Sequence, residues 1–180
     1  MKGEVAMKMN LSLPHFVLNV KTFCCMLILL PLATACASEL SKSGLDAEVK
    51  RLCQIDGGIK VYETVRLPRE NFNQWGQLNF YKPTRGEDAL GEKYILKIER
   101  HEIVKGNPSY DPTELSMTRT HSQIIRKLDL KLLGESVVYL RVGGDPPGLS
   151  HSTSFACPDV REQGEAALFK KVFLKQEKGK

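Results

Sequence analysis

Apolar residues along the chain follow different spacings, and each spacing predicts a different element. Val49, Leu52, Cys53 and Ile55 recur at helical intervals, predicting a helix over 47–55 with Asp46 as its N-cap. Asp56-Gly57-Gly58 ends it and turns the chain. Ile59 to Leu67 (IKVYETVRL) instead alternates apolar and polar positions and is rich in β-branched residues, so it predicts one strand, stopped by Pro68. Arg69 to Trp75 predicts a helical turn with Gly76 as its stop, and Leu78 to Tyr81 a second strand. Residues 82–92 are rich in turn formers. Tyr94 to Val104 opens with clean alternation of Tyr94, Leu96 and Ile98, the mark of a strand. A polar loop with Asn107-Pro108 and Asp111-Pro112 follows. Ser116 to Arg126 and Leu132 to Val142 then read as antiparallel strands joined near Asp129. Pro146, Pro147 and three glycines exclude regular structure from Gly143 to Ser154. Finally, Glu165 to Lys175 puts Leu168 with Val172, and Phe169 with Phe173, at helical spacing. The predicted class is α+β: an antiparallel sheet of about five strands, with short helices near both ends of the mature domain.

The amino-terminal stretch has a different pattern, an apolar run without periodicity. Thr22 to Ser38 (TFCCMLILLPLATACAS) carries no charge, and Lys2, Lys8 and Lys21 precede it against a single Glu4. A positive region, an apolar core from Phe23 to Leu32 and then small residues is the layout of a secretory signal. The core is shorter than the roughly 20 apolar residues a membrane-spanning helix needs. The positive region is long, so Met7 or Met9 also fits as the start. Residues 1–35 are therefore expected to be removed on export.

Leu32-Ala33-Thr34-Ala35-Cys36 resembles a bacterial lipobox, in which the cysteine is diacylated and becomes the new N-terminus. The pattern usually has Leu three places before the cysteine, where this chain has Ala33. Ala33-Thr34-Ala35 and Ala35-Cys36-Ala37 also satisfy the small-x-small rule of ordinary cleavage. Two destinations follow: a lipid anchor on Cys36 facing the periplasm, or release as a soluble periplasmic protein. With Ala37 behind an acylated Cys36, the resemblance implies sorting to the outer membrane. Residues 36–44 would form a short polar tether, leaving one globular domain over 45–176 and a basic tail over 177–180.

Composition changes this picture little. Of the 180 residues, 42% are hydrophobic and 26% charged, as in ordinary globular proteins. The net charge of +5 would suggest nucleic acid, but its distribution argues against that partner. Lys170, Lys171, Lys175, Lys178 and Lys180 face only Glu177 within residues 170–180, and the rest of the mature chain is almost neutral. This end reads as a solvated, frayed terminus, with electrostatic attachment to an anionic envelope surface as the other reading.

The five cysteines sort by position. Cys24 and Cys25 leave with the signal, and Cys36 is accounted for by lipid. Cys53 and Cys157 remain as a pair in an oxidising compartment and are expected to bond to each other. The rival role, a catalytic thiol at Cys157 near His151, needs a reducing environment.

No motif for metal, cofactor or phosphate stands out. His101, His121 and His151 are far apart and lack H-x-H or H-E-x-x-H spacing. Gly143-Gly144-Asp145 lacks the Lys-Ser/Thr of a P-loop. Phe72, Trp75, Phe80 and Tyr81 read as core aromatics, with stacking on a ligand as the alternative. The first place to look for a ligand is the loop Gly143 to Cys157 (GGDPPGLSHSTSFAC), with Asp145, Ser150, His151, Ser152 and Ser154. These are residue types that hydrolases use, yet neither a G-x-S-x-G elbow nor S-x-x-K is present. The plainer expectation is a rigid loop whose hydroxyls bond nearby backbone.

Ile55 to Leu67, Leu132 to Tyr139 and Gly143 to Pro158 resemble segments of small exported proteobacterial lipoproteins, a group without an assigned activity. The resemblance implies the compartment and no chemistry. The expected function is that of a non-enzymatic cell-envelope lipoprotein binding an envelope protein or cell-wall component. The alternatives are a periplasmic hydrolase using the 143–157 loop and an inhibitor of a lytic enzyme.

Overall fold

The first helix begins earlier than Asp46. In the computed structural model, which describes residues 41–177, helix α1 spans Lys42–Asp56, and the Ser41 hydroxyl caps it by accepting from the Gly44 N–H at 3.0 Å. Asp46 is thus inside the helix, and Lys42 to Gly44, expected as tether, are helical. The expected signal segment over 1–35, the expected lipidation site Cys36 and Lys178 to Lys180 lie outside the described residues.

After α1 come β1 (Gly58–Val61) and β2 (Val65–Leu67), then 3-10 turns at Arg69–Asn71 and Pro83–Leu90. Three long strands follow, β3 (Tyr94–Val104), β4 (Leu115–Arg126) and β5 (Lys131–Gly143). The chain ends with β6 (Ser154–Cys157), the short helices α2 (Val160–Gln163) and α3 (Glu165–Val172), and β7 (Phe173–Lys175). The architecture is α+β, with an antiparallel five-stranded sheet and helices near both ends of the described region.

Strand β5 is the centre of that sheet. One side pairs with β4 along its whole length. The other side is shared, with Ile59 of β1 opposite Ser136 and Ala156 of β6 opposite Leu140. Both faces of the sheet are covered. Met117 and Ile124, an odd number of residues apart on β4, point to opposite faces. On the Met117 face α1 lays Leu45 and Val49 over Val137 and Tyr139. On the Ile124 face lie Leu168, Phe169, Val172 and Phe173, together with Leu90, Tyr94 and Leu96. Burial on both faces explains why β5 has few exposed positions. Gly134 permits the close approach of α3, because a Cβ there would lie 2.8 Å from the Val172 side chain.

Three expected elements differ from the structure. The single strand over 59–67 is two strands in different sheets, because Tyr62 and Glu63 both donate their N–H to Leu133 O and the chain bends between them and β2. Leu78 to Tyr81 is not a strand. Leu78 makes one bridge to Phe72, and Phe80 and Tyr81 are apolar because the segment packs on the core. The terminal helix stops at Val172, since Phe173–Lys175 pairs in parallel with Val65–Leu67. Lys170, Lys171 and Lys175 therefore lie on α3 and β7 rather than in a frayed end.

Cys53 and Cys157 are bonded, with Cα atoms 5.8 Å apart and a sequence separation of 104. The bond fastens the last turn of α1 to β6.

Candidate functional site

Two loops meet at the end of the sheet where β4 begins and β5 ends. Gly143, with φ of +89°, starts the second loop against the Glu114 carbonyl, where a Cβ would clash. Gly144 N–H then donates to Glu114 O at 3.0 Å, and Asp145 N–H to Pro112 O at 2.9 Å. The Ser152 hydroxyl donates to Pro108 O. The loops 105–114 and 144–153 are thereby tied along their bases.

Asp145 is the buried centre of this arrangement. Its carboxylate accepts from Lys42 Nζ at 2.5 Å, from Thr153 N–H at 2.6 Å and from the Thr153 hydroxyl at 2.8 Å. The Lys42 ammonium first, and then the two Thr153 donors, hold the carboxyl down at about 2. Arg141 completes the base. Its guanidinium, with a side chain 3% exposed, grips the Asp46 carboxylate at 2.7 and 3.1 Å and donates to the carbonyls of Gly143 and Thr153, both at 3.1 Å. The Lys42 ammonium and the Asp46 carboxylate, both from the first turns of α1, thus fix the loop base through Asp145 and Arg141.

Of the loop residues singled out from sequence, Asp145 and Ser152 are committed to holding the loop itself. Ser150 and His151 do meet, with Ser150 Oγ 2.8 Å from His151 Nδ1, on the exposed tip. The Asp145 carboxylate turns the other way, to Lys42 and Thr153, so it does not orient His151. Ser154 starts β6. What the tips present is apolar and polar surface side by side: Tyr110, 88% exposed, on one loop, and Leu149, 48% exposed, with Ser150 and His151 on the other. Tyr110 escaped the sequence reading, since nothing in the pattern joins the two loops.

A second polar cluster was also missed, on the sheet face that α1 only partly covers. His121 Nε2 lies 2.7 Å from Glu135 Oε2, and the Tyr62 hydroxyl donates to Glu135 Oε1 at 2.5 Å. The Tyr62 hydrogen bond, followed by that of His121, keeps the Glu135 carboxyl below its usual range against the opposing effect of burial. Beside it Asp56, at the C-terminus of α1, accepts from Arg119 and Tyr139, both at 2.7 Å. Burial pushes the Asp56 carboxyl up, and those hydrogen bonds outweigh it and bring the group below its usual range. This cluster ties the end of α1 to β4 and β5. Among the described residues, no group of three His, Cys, Asp or Glu side chains comes together to hold a metal, and no helix is long and apolar enough to cross a membrane.

The Asp145 site gives a pH dependence with a definite sign. Its folded pKa of about 2 lies below the ordinary 3.8, so its contribution is complete above that ordinary value and is lost as pH falls through the folded one. Asp145→Asn should therefore flatten the fall in stability between about pH 4 and pH 2 relative to wild type. Urea midpoints across that range measure it, and parallel curves for the two proteins would remove Asp145 from the acid transition.

No family model, curated protein or solved structure matches the chain.

Proposed function

We propose that this chain is an exported cell-envelope lipoprotein that acts by binding rather than by catalysis. It would be held to the outer membrane through acylated Cys36 and would engage an envelope protein or cell-wall component with the paired loops 105–114 and 144–153. The observation that carries the reading is the Cys53–Cys157 bond, because such bonds persist in oxidising compartments. The signal-like run and lipobox-like Ala35-Cys36 point the same way. Binding is favoured over hydrolysis because Asp145 and Ser152 are used within the loop base, while Tyr110 and Leu149 are presented outward.

Chain length adds a geometric consequence. Ser41 caps a helix whose Lys42 bonds Asp145, so the tether from Cys36 enters the domain at the loop end. Five residues span at most about 18 Å. The loops would work close to the membrane, on a partner seated there.

Intact mass of the protein from bacterial envelopes, before and after reduction and alkylation, tests the reading. The expected species begins at acylated Cys36 and takes up alkylating reagent at Cys53 and Cys157 only after reduction. A chain retaining residues 1–35, or one with free Cys53 and Cys157, would overturn export. A species starting at Ala37 or Ser38 would replace the anchor with free diffusion in the periplasm. A photo-crosslinker placed at Leu149 should label an envelope component, whereas one at exposed Leu128, on the β4–β5 turn, should not.

A further inference from the structure

A cleft of about 580 Å³ opens on the other half of the molecule. It lies between the 72–81 segment and helices α2 and α3, beyond the contact of α3 with Gly134. Gly134 and Gly143 are separated by about 30 Å of strand, so the cleft is remote from the paired loops. Its size is within the range of small-molecule sites.

The walls are apolar and largely preformed. Phe72, Leu78, Tyr81 and Phe169 form them, and the Tyr81 and Phe169 rings meet edge to face at 4.9 Å. Exposed Ala166 lies on the α3 side, where a larger side chain would intrude without disturbing the core. The polar groups are few. The Tyr81 hydroxyl donates to Glu165 Oε1 at 2.6 Å, so the one carboxylate of the lining is already engaged by the wall. Gln77 Oε1 is likewise engaged, accepting from Asn73.

Two lysines border the same opening. Lys170 lines it directly. Lys175 Nζ lies 5.3 Å above the centre of the Phe72 ring and 3.6 Å from where a Gly76 Cβ would be, and both residues belong to the lining. Gly76, at φ of +76°, has no side chain, which leaves room for that ammonium at the lip. The site thus combines aromatic walls with two cations at the lip against one engaged carboxylate. Such a pattern is complementary to a molecule with an apolar body and a single negative head.

We infer that this cleft binds an amphipathic anion: a small aromatic or acyl body placed between Phe72, Tyr81 and Phe169, with a carboxylate or sulfonate-like head held by Lys170 and Lys175. The inference does not depend on the anchor or on the paired loops.

The test uses the exported, disulfide-bonded chain carrying Cys36→Ala, which prevents acylation. The probe is 1-anilinonaphthalene-8-sulfonate, with the uncharged N-phenyl-1-naphthylamine as its partner. The chain holds a single tryptophan, Trp75, 72% exposed and adjacent to Gly76 of the lining, so energy transfer from Trp75 reports dye seated in the cleft. Saturable one-to-one binding of the sulfonate is expected, with a dissociation constant on the order of 10 µM. Ala166→Phe should weaken both dyes about tenfold by filling the cleft. Lys170→Glu and Lys175→Glu, both at exposed positions, should each weaken the sulfonate by up to about fivefold and leave the neutral dye unchanged. Laurate should displace the sulfonate in competition. Non-saturable dye uptake, or transfer from Trp75 that survives Ala166→Phe unchanged, would overturn the site. Equal effects of the lysine reversals on both dyes, or none on either, would overturn the anionic ligand. Unchanged urea midpoints in the lysine variants separate these outcomes from loss of the fold.

Discussion

With the Cys53–Cys157 bond reduced and alkylated, the domain should lose about 4.7 kcal/mol of stability, the chain-entropy value for a ring of roughly 100 residues. The ring here closes 104 residues of separation, from the last turn of α1 to the end of β6. A small domain has only about 5–15 kcal/mol in total, so the reduced protein should be close to unfolding at body temperature. Local structure makes the loss worse in one place. Strand β6 pairs with four residues of β5, Tyr139 to Val142, and short edge pairing of that kind does not hold alone. The bond and the Phe155 contact beneath Lys50, 5.4 Å from the ring centre, are what press it against α1. Thermal and urea unfolding of oxidised protein, reduced protein and the double variant Cys53→Ala/Cys157→Ala measure the effect. A midpoint lowered by about 15 °C is expected. A difference below about 1 kcal/mol would mean that the ring does not restrict the unfolded chain.

The second large effect is expected at Arg141. Its guanidinium is enclosed by the Asp46 carboxylate, two carbonyls and the Thr153 hydroxyl, on the face that α1 covers. Arg141→Ala deletes five hydrogen-bond contacts, leaves Asp46 without its partner and leaves the Thr153 carbonyl with the Gly143 N–H alone. Removing one partner of a buried pair costs about 3–5 kcal/mol. Replacing both partners by apolar groups of similar size is far milder, so Arg141→Met with Asp46→Leu should recover most of the loss. A double-mutant cycle on urea midpoints separates the two cases. Arg141→Ala within about 1 kcal/mol of wild type would show that water replaces the guanidinium without penalty. The loop should follow the stability: in Arg141→Ala, amide exchange at Gly144 and Asp145 should rise more than exchange in β3 and β4.

How much of this was legible in the sequence follows from which partners are local. Strands β3, β4 and β5 run over 11 to 13 residues, and they appear where the sequence pattern places them. Cys53 and Cys157 were legible by elimination. Ile59 to Leu67 misled because alternation says that a segment is extended and not which sheet it joins; the bend at Tyr62 and Glu63 is made by Leu133, in another hairpin. Phe173 misled similarly, since its fit to the helical stripe of Phe169 is the same whether the backbone continues as helix or pairs with Val65. Among the loop residues, the exposed ones and the committed ones look alike in sequence; only Lys42, 103 residues away, tells Asp145 apart. His121 and Glu135 were within reach. A turn near Asp129 sets Gln123 opposite Glu135 and His121 opposite Val137, which puts His121 and Glu135 on one diagonal of one face. The cleft was legible only in part: Phe72 and Tyr81 belong to the aromatic cluster whose alternative reading was stacking on a ligand, but the opposite wall comes from a segment about 90 residues away that nothing in the pattern joins to it.

The position of the covalent ring also decides how the molecule responds to being pulled. Load applied at the amino terminus enters through α1, and Cys53 is near that helix's far end. A tug can peel only Ser41 to Cys53 from the sheet, about 40 Å of extended chain, before the slack ends at the sulfur bridge. Beyond that point force passes directly to β6 and the carboxyl-terminal segment, and the long hairpin of β4 and β5 stays out of the line of tension. Extension traces from single molecules should therefore show a short first step that reduction lengthens.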